Sequence, residues 1–359
     1  MQFRLPGFKS KSIVGVDIGS SSVKVVEVAA HSKGFELAHL GMASLPPEAI
    51  VQGAFLNSGA IVDAVREAMS SAGIRAKDAA TAVSGHSVIV KKISLPAMTP
   101  EELEESIRWE AEQYIPFDVN EVNLDFQILS DGADAEGQMD VLLVAAKKDL
   151  IDDYVHVLSE AGLNPMVMDV AAFAVENAYE ANFDTRPGEM VALVNIGAQV
   201  VNINILANGI PAFTRDISTG GNQYTEEIQK TLSIGFEEAE RIKLGGPRSN
   251  DSQEVIPQEV EHAMRNVTET MVGEITRSLD FFTATAAEGR IGKIYLSGGG
   301  ARVSGLEKAF NEKTDVPVEL LNPFARMAPS KRYQPDYLAE VAPSLGVGVG
   351  LALRSLDEQ

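Results

Sequence analysis

The sequence contains no cysteine among its 359 residues. A disulfide framework, a cysteine-ligated zinc and a thiol nucleophile are therefore excluded. Basic residues are also scarce, because 30 Lys and Arg stand against 51 Asp and Glu, which leaves a formal charge of −21 at pH 7. A chain this acidic repels phosphate backbones, so we expect no nucleic acid among its partners.

Long apolar runs are missing as well. The longest stretch without charge, residues 191–214, contains several side-chain amides and Pro211. A membrane-spanning helix needs about 20 mainly apolar residues, and these amides and the proline argue against one. No apolar signal-peptide core follows the early bases Arg4, Lys9 and Lys11. We therefore expect a cytoplasmic protein.

Two stretches of the sequence share one plan. Residues 13–25 read IVGVDIGSSSVKV, and residues 191–203 read VALVNIGAQVVNI, so that the two align without a gap. Each predicts an apolar strand, a glycine turn and a second strand, and a third strand is expected at about 35–43 and 210–216. Two such units, each followed by helices, predict a duplicated α/β fold. A chance likeness between two β-hairpins is the alternative.

Residues 96–165 break this plan. Thr99 and Pro100 are a typical start of a helix, which we expect to run to about Tyr114 and to stop near Pro116. Two strands, at about 122–129 and 139–146, and a helix at about 149–161 follow. The spacing elsewhere predicts strands at about 79–84, 88–95 and 291–296 and helices at about 58–72, 225–232, 236–244, 260–287, 303–310 and 343–352.

The first glycine turn has the composition of a phosphate-binding loop. Glycine lets the backbone turn tightly with its N–H groups exposed, and small hydroxyls and a lysine follow. The residues that we expect at a bound nucleotide are Asp17, Gly19, Ser20, Ser21, Ser22 and Lys24, with Asp17 at its metal ion and not at the phosphate itself. Asp17 would bind a hydrated Mg²⁺ through water. A simple hairpin turn is the alternative, and the pattern is not a Walker A loop.

Further glycines follow strands in the second half. Asn195 and Gly197 occupy its first turn, and Gly220 and Gly221 follow its third strand. The run Gly298, Gly299 and Gly300 stands between a predicted strand and a predicted helix, where bare backbone lets a flat ring lie close. A dinucleotide fingerprint is the rival interpretation, but Val303 stands at the position of its third glycine.

In this order, the motifs resemble the actin/Hsp70/sugar-kinase superfamily, whose ATP lies between duplicated halves. Asp17–Lys24 resembles the first phosphate loop, Asn195–Val200 the second, and Ser297–Ala301 the adenosine loop. The other correspondences are Asp169–Ala174 and Leu345–Gly348 with the two connecting helices, Gly220 and Gly221 with the phosphate-side pair, and Glu240 and Lys243 with the contacts to ribose and base. The resemblance implies ATP and Mg²⁺ as cofactors.

Within this superfamily, the chain is similar to the PilM family of type IV pilus assembly, relatives of the division protein FtsA. The likeness rests on SIVGVDIGSSSVKVVEV and on LPAMTPEELEESIRWEAEQYIPF, which stands where FtsA relatives carry a relocated subdomain. It implies an α/β, actin-like (ribonuclease H-like, duplicated) two-lobe fold with an FtsA-type inserted subdomain. The implied function is that of a cytoplasmic ATP-binding scaffold of the inner-membrane assembly platform.

The same resemblance implies the partners. The short N-terminal cytoplasmic tail of the membrane protein PilN is expected in a groove between the first lobe and the insertion. Other proteins of the assembly platform are further expected partners. The chain is expected to reach the membrane only through its partners. Candidate groove residues are Trp109, Tyr114, Ile115 and Phe117, although core packing is the favoured interpretation for Ile115. The helix that carries Trp109 is acidic and would suit a basic tail.

The expected division of the chain follows the resemblance. It assigns 1–95, 166–187 and 330–359 to the first lobe, 96–165 to the inserted partner-docking subdomain, 188–232 and 289–329 to the second lobe, and 233–288 to a helical subdomain of that lobe.

The sequence leaves open whether the bound nucleotide is hydrolysed. Asn195 stands where the superfamily usually has aspartate, so we expect nucleotide binding with slow or absent hydrolysis. Asp169 could orient a hydrolytic water, but an N-cap of the following helix is favoured. A small-molecule kinase and a filament-forming division protein remain alternatives, and the polar residues 355–359 do not resemble the amphipathic anchor of the latter.

Overall fold

The computed structural model describes residues 13–31, 34–129, 137–245, 257–285, 289–328 and 332–354. The strands are β1 (Val14–Ile18), β2 (Ser22–His31), β3 (Gly34–Ser44), β4 (Ile50–Val51), β5 (Ala54–Phe55), β6 (Asp78–Val83), β7 (Val88–Pro96), β8 (Val122–Ile128), β9 (Gln138–Lys147), β10 (Asn164–Val170), β11 (Met190–Ile196), β12 (Val201–Ala207), β13 (Ile210–Ile217), β14 (Lys293–Ser297) and β15 (Val318–Leu320). The helices are α1 (Ser58–Ala72), α2 (Pro100–Ala111), α3 (Lys148–Glu160), α4 (Ala171–Glu180), α5 (Asn222–Leu232), α6 (Phe236–Lys243), α7 (Gln258–Thr285), α8 (Leu306–Lys313), α9 (Pro335–Val341) and α10 (Gly346–Leu353).

Two five-stranded sheets repeat one topology. Their orders are β10-β6-β1-β2-β3 and β13-β12-β11-β14-β15. In each, an antiparallel meander of three strands is extended by two parallel strands on the side of its first strand. Read from the third meander strand outward, the two orders are the same. The predicted duplication of an α/β unit is confirmed.

Each sheet buries one face under its own helices. In the first lobe, α1 and α3 pack on the sheet, and α1 is closed by the Asn57 side chain at its start and by Gly73, with φ 69°, at its end. In the second lobe, α7 and α8 pack on the sheet with Met271, Ile275 and Leu279 on one side of α7. The predicted apolar stripe of this long helix is therefore core.

The two connecting helices, α4 and α10, join the lobes through a shared core. That core takes Ala174 and Val175 from α4, Val347 and Leu351 from α10, and Leu193 from the second sheet. All residues of α10 are buried. Its glycines bring backbones into direct contact, because a Cβ built on Gly350 would lie 1.6 Å from Ala174 O.

The inserted sheet has the order β7-β9-β8, with α2 packed on it through Leu103 and Ile107. Thr99 and Glu102 form the capping box of α2. The helix ends at Ala111, before the predicted end at about Tyr114, and residues 112–114 form a turn. A helical backbone is disfavoured at Ile115, which precedes Pro116.

The edges of the inserted unit differ from the expected division at both ends. Its sheet includes β7, which that division gave to the first lobe, while Tyr154 and Val157 of α3 pack into the first-lobe core. We propose residues 88–147 as the inserted unit. The glycine-, proline- and serine-containing stretch 246–256 lies outside the described residues, as do residues 1–12 and 355–359. None of the described helices has both the length and the apolar character needed to cross a membrane.

Glu176 is a buried carboxyl on the connecting helix α4. It is 8% exposed, and Asn204 Nδ2 of β12 donates to its Oε2 at 2.7 Å. Burial raises the pKa of Glu176 to about 8; the bond from Asn204 opposes this rise, and the charges of Glu180 and Asp169 add to it. The folded state therefore holds a proton here that the unfolded chain loses near its ordinary value of 4.5.

We expect Glu176→Gln to remove a pH-dependent loss of stability. Since the folded pKa lies above the unfolded one, the stability that the protonated group contributes is complete below pH 4.5 and is lost as pH rises toward 8. Glutamine keeps the acceptor for Asn204, so the variant should exceed the wild type in free energy of unfolding at pH 8.5 by about 2–4 kcal/mol. Urea unfolding at pH 5 and 8.5 measures this, with the exposed Glu269→Gln as control. Equal pH dependence of Glu176→Gln and wild type would contradict it.

Candidate functional site

The first glycine turn carries an ion pair between neighbouring strands. Asp17 on β1 and Lys24 on β2 are register partners, and Lys24 Nζ donates to Asp17 Oδ2 at 3.0 Å. Both side chains are largely buried, at 16% and 11% exposure. Gly19 N closes the turn by donating to Ser22 O at 3.1 Å. The turn thus combines a cation, a carboxylate and the small residues Ser20 and Ser21, and Ser21 is exposed.

The second turn has the same build with neutral side chains. Asn195 on β11 and Asn202 on β12 are register partners, and Asn195 Nδ2 donates to Asn202 Oδ1 at 2.9 Å. Gly197 N donates to Val200 O at 2.9 Å, as Gly19 does to Ser22. An amide pair therefore replaces the ion pair of the first turn.

The glycines that follow β13 and β14 are pressed against this second turn. Gly221 N donates to Gly197 O at 2.9 Å, and a Cβ on Gly220 would lie 2.6 Å from Ala198 O. Gly298 has φ 89°, and its Cβ would lie 2.3 Å from Ile196 O. A Cβ on Gly300 would lie 2.5 Å from Ile196 Cγ2. At Gly220, Gly298 and Gly300, any side chain would collide with the second turn, so only glycine fits without displacing it.

Gly299 differs from its two neighbours. It is exposed, its φ is not positive, and the nearest atom to an added Cβ is Ser344 Oγ at 4.0 Å. The run therefore presents one open backbone position between two packed ones.

Glu240 and Lys243 of α6 reach the same place. Lys243 is 8% exposed, and its Nζ lies 2.6 Å from Glu240 Oε2 and 3.4 Å from Gly221 O. Thr225 of α5 joins them, because its hydroxyl donates to Glu240 Oε2 at 2.6 Å. The candidate residues of the second lobe thus form one cluster, consisting of Asn195, Gly197, Gly220, Gly221, Glu240, Lys243, Gly298, Gly299 and Gly300.

The second turn also lies against the first lobe. Gln199 Nε2 donates to Ile50 O at 2.8 Å, and Gln52 N donates to Gln199 Oε1 at 3.0 Å. Gly298 N donates to Pro343 O at 2.6 Å. The cluster of the second lobe therefore lies at the seam between the lobes. Gln199 could not be identified from the sequence, because a glutamine in a turn carries no pattern of its own.

The structure corrects the interpretation of Asp169. The residue lies in β10, and the N-cap of α4 is Val170, which makes no side-chain cap. The N-cap prediction is therefore wrong. Asp169 Oδ2 instead lies 3.0 Å from Arg354 Nε, next to the end of α10, and the carboxyl is 5% exposed. This ion pair ties the end of β10 to the residue that follows α10.

The four candidate groove residues do not share one environment. Trp109 is 73% exposed on α2, whereas Ile115 is buried in the core of the insertion, as favoured. Tyr114 and Phe117 pack against that core, with Lys91 Nζ 5.1 Å from the Tyr114 ring and Lys147 Nζ 4.7 Å from the Phe117 ring. Trp109, Tyr114 and Phe117 remain accessible to a partner in part or in full.

The donor set suits a magnesium ion brought by a nucleotide. Across the described ranges, no group of three or more His, Asp or Glu side chains could hold a metal ion. Mg²⁺ keeps several waters and commonly binds through one or two carboxylates together with phosphates. Asp17 alone fits that mode, since the second turn offers the neutral Asn195.

The model of the family described as type IV pilus assembly protein PilM matches residues 15–356. The chain belongs to the PilM family.

Known structures and sequences agree with this assignment. A structure described as the PilM-PilN type IV pilus biogenesis complex matches this PilM-family chain with a TM-score of 0.85 at 30% identity, covering 97% of this chain and 100% of the other. FtsA of Bacillus subtilis is 24% identical over 253 residues, which are 64% of this chain and 57% of FtsA. MreB5 of Spiroplasma citri bound to AMPPNP has a TM-score of 0.50 at 12% identity, with 95% of each chain covered, and shows the fold alone. The expected actin-like fold is confirmed.

Proposed function

We propose that this PilM-family chain is an ATP-binding scaffold of type IV pilus assembly, held at the inner face of the membrane by a PilN-type partner. The observation that carries the nucleotide part is the cluster formed by the second turn, the two glycine segments and Lys243 at the lobe seam. Family membership favours this function over the kinase and filament alternatives.

The proposed nucleotide lies between the two glycine turns. The phosphates would meet the amides and Lys24 of the first turn and the amides of the second, with Mg²⁺ bound through water to Asp17. The base would lie on Gly299, and Lys243 and Glu240 would hold the ribose side. The neighbours of Gly298 and Gly300 leave room for backbone only, which supports a flat ligand at this run.

Hydrolysis is proposed to be slow. The second turn presents Asn195 with its amide bonded to Asn202, so it lacks the negative charge that would hold a metal or polarise a water. One unit-charge interaction at about 4 Å is worth about 4 kcal/mol at an effective dielectric of about 20. Without this interaction, the metal ion is expected to be held largely by the phosphates, and the chemical step of hydrolysis is expected to be slower.

The proposed partner is the N-terminal cytoplasmic tail of a PilN-type membrane protein, and other platform proteins would join through it. The groove is proposed between the first lobe and the inserted sheet, near Tyr114 and Phe117. Aromatic side chains that are partly packed and partly accessible are typical anchors of interfaces. The match to a PilM-PilN complex over nearly the whole chain supports this choice.

One titration series tests both parts of the proposal. Calorimetry of the full chain with Mg·ATP is expected to show one site, with turnover far below about 1 s⁻¹, the low end of common enzymes. A synthetic PilN-type tail peptide is then titrated with and without ATP, against a scrambled peptide. We expect only the native peptide to bind, and its affinity to differ in the presence of ATP. The peptide must then change the affinity for ATP by the same factor. Absence of ATP binding would refute the nucleotide site. Equal peptide affinities with and without ATP would show that the chain is an adaptor whose partner binding does not depend on nucleotide.

A further inference from the structure

A row of polar side chains crosses the second sheet from the glycine turn to the lobe boundary. Asn195, Asn202 and Asp216 are register partners on β11, β12 and β13. Asn195 Nδ2 donates to Asn202 Oδ1 at 2.9 Å, and Asn202 Nδ2 donates to Asp216 Oδ1 at 2.8 Å. Asn195 and Asn202 are 9% and 4% exposed.

The row continues into the first lobe. Gly85 N, in the turn between β6 and β7, donates to Asp216 Oδ2 at 2.6 Å. Beside this bond, the Ser218 hydroxyl is hydrogen-bonded to His86 Nε2, and Thr214 Oγ1 donates to Val90 O at 3.3 Å. Asp216 therefore stands where β13 meets the root of the inserted sheet.

The carboxylate decides which way both amides point. A carboxylate only accepts hydrogen bonds, so Asn202 must present its NH₂ group to Asp216. Asn202 Oδ1 then faces β11 and accepts from Asn195, which turns Asn195 Oδ1 toward Gly298. Burial raises the pKa of Asp216 above its ordinary value, and the bonds from Asn202 and Gly85 and the nearby His86 oppose this rise without cancelling it.

The first lobe lacks such a row. There the corresponding register positions hold Asp17, Lys24 and Met42, and the acid on the first strand is paired at once with the lysine on the second. In the second lobe the acid stands on the third strand instead, and two neutral amides lie between it and the turn.

We propose that Asp216 is a positioning residue, which orients the Asn195 amide toward the nucleotide and couples the second turn to the root of the inserted sheet at Gly85. This inference rests on the proposed nucleotide binding. Occupancy of the turn would tighten the row and hold β7 against β13, so that a ligand at the seam restrains the inserted unit.

Asp216→Asn is a sharp test because an amide offers one acceptor to two donors. If its oxygen faces Asn202, its NH₂ group meets Gly85 N–H and the link to the first lobe is lost. If its oxygen faces Gly85, Asn202 must rotate, and Asn195 then presents a donor where it presented an acceptor. The change is isosteric, and either outcome breaks the row.

The experiment is hydrogen exchange of the full chain with and without Mg·ATP, followed by mass spectrometry of peptides covering 86–96. In the wild type, ATP is expected to slow exchange there by about fivefold or more. Asp216→Asn should lose this ATP effect and bind ATP about tenfold more weakly. Asn202→Ala interrupts the middle of the row and should also lose the effect. Asp125→Asn, an exposed acid on β8, should behave as wild type.

The possible failures are distinguishable. If the wild type does not bind ATP, the proposed function and this inference fall together. If ATP binds and slows exchange at 86–96 equally in the wild type, Asp216→Asn and Asn202→Ala, the row is merely structural and the inference alone is overturned. Should Asp216→Asn fail to fold, as judged by its unfolding transition, Asn202→Ala decides the question by the same readout.

Discussion

Replacing Gly350 with alanine is expected to lower the free energy of unfolding by at least about 3 kcal/mol. The new Cβ would lie 1.6 Å from Ala174 O, 2.5 Å from Ala174 C and 3.1 Å from Ala174 Cα. These are backbone atoms of α4, which cannot rotate away as a side chain would. The helices α4 and α10 must therefore separate, and they lie in the core that both lobes share.

Urea unfolding at pH 7 measures this effect, and the chain offers a matched control. Gly273 lies in the interior of α7, and an added Cβ there meets no atom within 4 Å. Because alanine is a better helix former than glycine, Gly273→Ala should raise stability by up to about 1 kcal/mol. Equal shifts for the two variants would show that α4 and α10 can separate at little cost, against the packing described above.

Gly299→Leu is expected to fold normally and to weaken ATP binding by about 100-fold or more, equivalent to roughly 2.7 kcal/mol. An added Cβ at this exposed position approaches only Ser344 Oγ, at 4.0 Å, so the fold has room for a side chain. In the proposed site, however, that room is the place of the nucleotide base. A leucine side chain would occupy it and exclude the ring.

Fluorescence titration with a labelled ATP analogue measures this loss, and the midpoint of thermal unfolding verifies the fold. Gly299→Ala is the graded control, because a methyl group fills less of the space and should reduce affinity far less. Unchanged ATP affinity in a folded Gly299→Leu would place the base elsewhere and would remove the assigned role of this glycine run.

The sequence alone was sufficient for the repeated plan of the lobes. The alternation of apolar residues and the glycine turns after Asp17 and Asn195 are local signals, and the two hairpins form where they predict. The helix start at Thr99 was equally readable, since a capping box depends on residues three apart. Family resemblance added the roles of the motifs, which local patterns do not contain.

Element ends and assignments were harder to predict. The strand β7 has a strand pattern, but nothing within it indicates that its partner is β9 and not a strand of the first sheet. Asp169 has the composition of an N-cap, yet its pairing with Arg354 is a tertiary contact across more than half the chain. Local propensity ranks alternatives at such positions, and packing decides among them.

The sequence by itself determined two related α/β halves, an inserted segment and a pair of glycine turns, because turn chemistry and periodicity act over a few residues. The tertiary structure alone decided which distant groups meet: Gln199 with the β4–β5 hairpin and Asp216 with Gly85 across the seam, and Gly350 with Ala174 between the two connecting helices. It also separated the exposed Trp109 from the buried Ile115. These contacts depend on how two lobes pack, and the physical reason is that residues distant in sequence share no local signal before the chain is folded.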